Sequence, residues 1–178
     1  MDVIPKRFEK YGLTVHPDKT KLIDFRAPHH YERRRDEKSN NGRKSGGKPG
    51  TFDLLGFTHY WGKTRQGSWA VKHKTMKSRM VRSIQNIDQW CRMNRHMPIP
   101  VQWKKLCEKV SGHYAYYGIS GNFRSIGNFL YLVYRKWQLW LNRRNRLRNL
   151  TWEKFKIIRT RYPLPKPRIV HNIWATIT

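Results

Sequence analysis

Acidic residues are scarce in this sequence, and their scarcity argues against one class of catalysis. Only 11 of the 178 residues are Asp or Glu, and between Leu54 and Trp152 the carboxylates are Asp88 and Glu108 alone. Two-metal phosphoryl transfer needs several carboxylates that converge on Mg²⁺. The long central stretch therefore predicts no such site, and we expect neither a metal ligand set nor an intact catalytic centre in this chain.

Cysteines and long apolar runs are scarce as well. The two cysteines, Cys91 and Cys107, make neither a disulfide framework nor a zinc-ligand pair. Each lies within an apolar stripe, which favours a buried free thiol in a reducing compartment. The sequence has no run of about 18 apolar residues, the length that predicts a transmembrane helix, and its first residues lack the apolar core of a signal peptide. We therefore expect a cytoplasmic protein without a membrane partner.

Basic residues are abundant. The 38 Lys and Arg give a net charge of +27 and a pI near 10.8. This balance favours a polyanionic partner, nucleic acid above all, because each neutralised phosphate releases condensed counterions. A hydrophobic content of 38% is enough for a core despite a mean hydropathy of −0.86. A generally basic soluble protein is the plainer alternative, which the extreme charge asymmetry disfavours.

The amino-terminal quarter of the chain changes pattern twice. Apolar spacing predicts a helix from Asp2 to Gly12, followed by a strand within Leu13–Phe25. Residues 26–50 contain eight Lys or Arg and no Leu, Ile, Val or Phe. That composition is typical of a flexible basic loop, which is either a solvated linker or an arm that touches RNA.

From Phe52 the apolar period changes to two, which indicates strands. One strand is predicted from Phe52 to Trp61 and a return strand from Trp69 to His73, with a turn over residues 63–68. This pattern predicts a β-hairpin with a basic and aromatic surface. Its members are Tyr60, Trp61, Lys63, Arg65, Trp69, Lys72 and Lys74.

Apolar residues then recur every three or four positions in three successive segments, which predicts three amphipathic helices. The first begins after Thr75, a candidate N-cap, and ends before Pro98 and Pro100. A short fourth helix opens at Thr151, and together with the hairpin these helices predict an α+β fold. The three stripes are Met76, Met80, Ile84, Ile87 and Cys91; Trp103, Leu106, Cys107, Val110, Tyr114 and Tyr117; and Ile126, Phe129, Leu130, Val133, Trp137, Trp140 and Leu141.

Motifs between about residues 7 and 172 resemble, in the same order, those of group II intron-encoded reverse transcriptases, or maturases. Motif D is resembled by Gly12-Leu13 with His16-Pro17-x-Lys19-Thr20 and Phe25, and the primer grip by Phe52-Asp-Leu-Leu-Gly56-Phe57. The maturase-specific domain, or thumb, is similar to residues 77–148 with Gly112-His-Tyr-x-Tyr116-Tyr117-Gly118 and Gly121-Asn122. The end of the family is resembled by Leu150-Thr-Trp-Glu153 with Pro165-Lys-Pro-Arg168-Ile-Val-His171.

The resemblance implies three parts: the end of a polymerase palm in 1–74, thumb helices in 75–150, and a short helix with a Pro-rich basic tail in 151–178. The family holds two Mg²⁺ ions with a Tyr/Phe-x-Asp-Asp motif and an earlier Asp, and no Asp-Asp pair occurs here. The resemblance therefore implies a C-terminal portion of such an enzyme, inactive alone, with Mg²⁺ only in a full-length enzyme. Its partner would be the missing N-terminal half.

The same resemblance implies that the chain binds group II intron RNA and an RNA/DNA template-primer, in RNA splicing and in retrotransposition of a mobile element. Lys19 matches the motif D lysine, a proposed general acid, and Leu55, Gly56 and Phe57 match the primer grip. An autonomous, non-catalytic RNA- or DNA-binding protein derived from that family stays open as the alternative. We expect nucleic-acid contacts from Lys63, Arg65, Trp69, Lys72, Lys74, Lys77, Arg79, Arg82, Arg143, Arg144, Arg146 and Arg148.

Overall fold

The computed structural model describes residues 3–14, 16, 23–28, 50–144 and 149–172. Within these ranges the chain has an α+β fold, with five helices and a three-stranded antiparallel sheet. No helix in the described ranges is both long and apolar enough to cross a membrane. In chain order the elements are α1 (Val3–Glu9), β1 (Phe52–Leu54), β2 (Phe57–Lys63), β3 (Trp69–Thr75), α2 (Lys77–Met93), α3 (Ile99–Tyr117), α4 (Phe123–Asn142) and α5 (Trp152–Arg161).

The sheet has the order β1-β2-β3, and its first turn lies at Gly56, in the segment that resembles the primer grip, where a bulge in an ordinary strand was the alternative. Leu55 and Gly56 join β1 to β2 with φ angles of 50° and 80°. Two successive positive φ values match the two-residue type I′ turn, whose twist suits a hairpin. The prediction of one strand from Phe52 to Trp61 is therefore wrong, because the chain reverses inside it. The predicted β2–β3 hairpin is confirmed, with Lys63 opposite Trp69 at its closed end.

The helices α2, α3 and α4 pack into a core that buries the predicted stripes. Thr75 before α2 contacts Asn122 before α4, and Asp88 late in α2 contacts Trp140 late in α4, so these two helices run in the same direction. The helix α3 returns the chain between them and runs antiparallel to both. Buried members of the stripes are Ile84, Ile87, Cys91, Leu106, Val110, Tyr114, Ile126, Phe129, Val133, Trp137 and Leu141.

The short helix α5 and the segment after it belong to the same core. Thr151 is the N-cap of α5, as predicted, and its hydroxyl accepts a 3.4 Å hydrogen bond from the third backbone N–H of the helix. Phe155 and Leu164 are buried in the cluster formed by the other helices. The Tyr114 hydroxyl of α3 donates to the Pro165 carbonyl at 3.2 Å. The described part of 151–178 therefore packs against the helical core.

The amino-terminal predictions are confirmed in part. The helix α1 forms, and Gly12 follows it at a φ of 69°, but α1 has no buried residue. The described residues of 13–25 form no strand. The Phe25 ring instead packs across the sheet, 4.8 Å from the Phe52 ring and 5.6 Å from the Trp61 ring between centroids. Residues 29–49 of the predicted loop lie outside the described residues.

The prediction that Thr75 caps α2 is wrong. Thr75 is the last residue of β3 and is buried, while α2 begins after Met76 without any side-chain cap. The Thr75 backbone N–H donates instead to Asn122 Oδ1 at 2.9 Å. A Ser or Thr before an apolar stripe is a common cap signal, but here the sheet extends to that residue and uses its polar groups.

Candidate nucleic-acid interface

The turn that resembles the primer grip is fixed against the end of α3. The Tyr116 hydroxyl donates to the Leu55 carbonyl oxygen at 2.8 Å. A Cβ on Gly56 would lie 3.2 Å from the Tyr117 hydroxyl oxygen, which is tight contact. The Phe57 ring lies 5.4 Å from the Tyr117 ring and 6.0 Å from the Tyr116 ring. The three predicted primer-grip residues are therefore held together on one aromatic support.

The start of α2 lies beside this turn. The Met76 N–H donates to the Gly56 carbonyl oxygen at 2.9 Å, one residue before the helix begins. The buried Asn122 side chain then joins the neighbouring elements, since its Nδ2 donates to Thr75 Oγ1 at 2.9 Å and to the Tyr117 carbonyl at 2.8 Å. These hydrogen bonds fix the sheet end, α3 and α4 relative to the first turn of α2.

The first turns of α2 present cations and free backbone N–H groups. Lys77, Arg79 and Arg82 are exposed, the N-cap makes no side-chain hydrogen bond, and the first turn has no acidic residue. Burial, and next the charge of Tyr116, raise the pKa of Tyr117, and the charge of Arg79 opposes this shift. An uncapped helix N-terminus attracts anions through its N–H groups and its dipole.

Leu55, Lys77, Arg79, Tyr116 and Tyr117 together form what we call the turn–helix surface. Leu55 is 74% exposed and Tyr116 is 53% exposed, so apolar and aromatic groups face solvent beside the cations. Tyr116 was not among the predicted site residues. The motif around Tyr116 repeats aromatic residues, a pattern typical of a helix core. The position of the Tyr116 ring follows only from its tertiary contact with the turn.

The hairpin cations lie on two faces of the sheet, so the predicted basic and aromatic residues are divided between these faces. Pairing places Trp69 with Lys63 on one face and Tyr60 with Lys72 on the other, because side chains alternate along a strand. Lys63 Nζ lies 5.3 Å from the Trp69 ring, and Lys74 Nζ lies 5.3 Å from the Tyr60 ring. These distances are within cation–π range.

Other predicted members of the hairpin surface are used differently. The Trp61 indole N–H donates to the Phe25 carbonyl at 3.1 Å, so this ring supports the amino-terminal segment. Lys72 Nζ donates to the Lys63 carbonyl at 2.5 Å. Arg65 is exposed in the turn between β2 and β3.

The predicted arginine cluster lies at the other end of α2. Lys77 and Arg92 are 15 positions apart on this helix, about 22 Å along its axis. The Arg143 guanidinium lies 4.7 Å from the Trp140 ring, and Arg144 donates to the His96 carbonyl at 3.4 Å. The cluster is therefore a second basic region, separate from the turn–helix surface. Arg146, Arg148 and Lys19 lie outside the described residues.

Buried polar residues that the sequence did not single out hold these surfaces in place. Gln102 donates to the Met97 carbonyl at 2.8 Å and accepts from the Trp137 indole at 2.9 Å. His113 stacks on Phe129 with 3.6 Å between ring centroids, and burial lowers its pKa to about 4. Neither residue stood out in the sequence as a buried polar group, because one polar residue within an apolar stripe leaves the hydrophobic period of the helix unchanged.

Metal ligation has no candidate in the described part of the chain, where no three His, Cys, Asp or Glu residues come together. Asp88 binds Lys136 at 3.2 Å and the Trp140 indole at 2.8 Å, and Glu108 binds Lys105 at 2.9 Å. The described carboxylates therefore do not fit a Mg²⁺ site, and no catalytic step is assigned to them. Comparisons with protein-family models, curated proteins and solved structures found no match.

Proposed function

We propose that this chain binds structured RNA, and an RNA/DNA template-primer, through the turn–helix surface. The observation that carries the proposal is that one contact network joins an exposed strained turn, two tyrosines and the cationic, uncapped start of α2. Group II intron reverse transcriptases/maturases, whose motifs this chain resembles, assist splicing and retrotransposition of their intron, and we propose that RNA binding by this chain serves the same processes. A cytoplasmic location and a bacterial mobile-element origin are part of the same proposal.

The chemistry of this surface suits a nucleic-acid backbone. Lys77 and Arg79 supply charges for phosphate oxygens, and the helix N–H groups add donors aimed the same way. The exposed Leu55 side chain and Tyr116 ring supply apolar contacts for a sugar or a base face. Arg82 and the hairpin cations extend the positive surface to either side of this centre.

Catalysis is not part of the proposal. Two-metal polymerisation needs convergent carboxylates, and the sequence between Leu54 and Trp152 contains only Asp88 and Glu108. We therefore propose that Mg²⁺ and the polymerase step belong to a full-length enzyme of the family. The resemblance in motif order, from the turn at Leu55 to the thumb helices, supports this assignment of roles.

The first test measures how RNA affinity depends on salt. The variant Lys77→Gln/Arg79→Gln/Arg82→Gln is compared with Lys6→Gln/Lys10→Gln/Lys104→Gln, which removes three exposed cations that are not members of the turn–helix surface. We expect the first variant to lower the slope of log K against log salt by about 2 to 3, at 0.7–0.9 per phosphate contact. Equal slopes in the two variants would place the binding site elsewhere.

The second test asks whether the RNA is recognised by its structure. Binding to a group II intron RNA is compared with binding to a scrambled RNA of equal length at the same salt concentration. We expect the intron RNA to bind more tightly, because its folded loops expose 2′-hydroxyls and unstacked bases. Equal affinities would favour the alternative, an autonomous basic protein that binds RNA or DNA without specificity.

A further inference from the structure

A basic groove lies between α4, α5 and the segment after α5, outside the turn–helix surface. It has a volume of about 640 Å³, within the range of ordinary ligand sites. One wall is α5 and the other is the extended chain from Pro163 to Lys166. The residues that the argument uses are Leu130, Tyr134, Trp152, Lys156, Arg159 and Lys166.

One face of α5 combines aromatic and cationic side chains toward this groove. Trp152, Lys156 and Arg159 recur at i, i+4 and i+7, so they lie on one side of the helix. The Arg159 guanidinium carbon lies 4.2 Å from the centre of the Tyr134 ring and 5.8 Å from that of Trp152. The guanidinium is thereby held over one ring and beside another, so a planar cation and an indole border the groove.

The groove has a fixed wall and a positive lining. The Tyr134 hydroxyl accepts a 2.8 Å hydrogen bond from the Leu164 N–H, and Leu164 is buried. Lys156, Arg159 and Lys166 line the groove with one carboxylate, that of Glu153. Hydrogen bonds from its own backbone and from Thr151 lower the pKa of Glu153, because they tie it to the helix cap. Three cations against one capped carboxylate leave an excess of two positive charges.

We propose that this groove binds one unpaired nucleotide, with its base against Trp152 and Arg159 and its phosphates on Lys156 and Lys166. Unpaired RNA bases are recognised by stacking on aromatic rings and on guanidinium planes, with phosphates bound by nearby cations. An acidic peptide would use the lysines but would leave the paired aromatic and guanidinium planes without a planar partner. This inference rests on the proposed function, because it names the part of an RNA that a second site on the same chain takes.

The test uses a five-nucleotide single-stranded oligoadenylate with a fluorescent label, and measures its anisotropy with the purified chain. Trp152→Leu should weaken binding at least about fivefold, since the loss of one base–aromatic stack lowers affinity by about this factor or more. Trp152→Phe keeps an aromatic face and should restore most of the affinity. Lys156→Gln/Lys166→Gln should lower the salt slope by about 1.4, from two contacts of 0.7 each on a single strand. The control Lys104→Gln/Lys105→Gln removes two cations that do not line the groove and should leave the slope unchanged.

Failure of this inference is distinguishable from failure of the proposed function. If groove variants bind the oligonucleotide as the original chain does, the groove assignment is overturned, even where the structured RNA still binds through α2. The assignment is also overturned if the oligonucleotide does not bind, or if a pentaglutamate peptide binds in its place and responds to the same variants. If the original chain binds the oligonucleotide but does not bind structured RNA, only the role of the turn–helix surface is overturned.

Discussion

At the scale of single residues, the buried Asn122 side chain joins three elements of the described fold. It is 1% exposed, and its amide accepts from the Thr75 N–H while donating to the Thr75 hydroxyl and to the Tyr117 carbonyl. One side chain thereby satisfies polar groups at the ends of β3 and α3 where α4 begins. Buried polar groups left without partners are costly, so the position of the turn–helix surface depends on this amide.

We expect Asn122→Ala to destabilise the fold by about 3 kcal/mol, because the buried Thr75 loses the hydrogen bonds that its N–H and its hydroxyl make with this amide. Urea unfolding followed by circular dichroism measures the change. Asn128→Ala is the matched control, since Asn128 is an exposed asparagine on the same helix. Equal effects of the two substitutions would show that the amide network contributes no stability.

His113 is a second buried residue, and its burial makes the stability of the fold depend on pH. Burial lowers its pKa to about 4 from an ordinary value of 6.5, so the folded protein keeps the imidazole neutral. The unfolded chain binds a proton at this histidine below pH 6.5, and stability is therefore lost as pH falls from 6.5 toward 4. Burial, and next the charge of His59, lower the pKa of His73, which acts in the same direction.

The substitution His113→Phe should remove part of this acid sensitivity. The aromatic stack on Phe129 remains possible, while about 2 kcal/mol of the stability difference between pH 7 and pH 5 should disappear. Urea unfolding at the two pH values measures that difference. The exposed His96, replaced by Gln, serves as control and should leave it unchanged. An undiminished pH dependence in His113→Phe would contradict the neutral buried imidazole.

At the scale of elements, the turn between β1 and β2 stores strain beside the proposed binding site. Leu55 adopts a φ of 50°, a conformation that costs a non-glycine residue about 1–2 kcal/mol. Its side chain is exposed and gains no packing in return. Strained residues that persist without a packing reason are typical of functional sites, and this turn is the part that resembles the primer grip.

Leu55→Asn should therefore raise stability and lower RNA affinity. Asn tolerates this φ and forms with Gly56 the preferred type I′ pair, so we expect about 1 kcal/mol of stabilisation. Loss of the apolar contact should weaken RNA binding. Leu54→Asn is the control, because it removes a similar exposed side chain from β1 without changing the turn. Unchanged affinity in Leu55→Asn would separate the strain from RNA binding.

The elements also show what the sequence could predict. The stripes ending at Cys91, Tyr117 and Leu141 are helices, because a 3.6-residue apolar period over 15 or more positions has few other solutions. The alternating pattern alone placed Leu55 and Gly56 inside one strand, because a leucine followed by glycine is a weak turn signal, and only the resemblance to the primer grip indicated a turn at Gly56. The two faces of the hairpin depend on register, and neither register nor the contact between Tyr116 and Leu55 is written in local sequence.

At the scale of the whole molecule, positive charge is distributed over separate surfaces. The turn–helix surface, the two hairpin faces, the arginine cluster near Trp140 and the groove along α5 each carry their own cations. A net charge of +27 on 178 residues disfavours compactness unless a polyanion or counterions neutralise it. Several separate surfaces suit a folded RNA that touches the protein on more than one side.

The whole chain is expected to bind nucleic acid without polymerising it. With a primed RNA template, Mg²⁺ and dNTPs, we expect the purified chain to bind the template-primer and to add no nucleotide, because Asp88 and Glu108 are each paired with a lysine and do not converge. Anisotropy measures the binding, and a primer-extension gel measures the synthesis beside a reverse transcriptase of known activity. Extension that Asp88→Asn or Glu108→Gln abolishes would contradict the carboxylate argument and give this chain a metal site of its own.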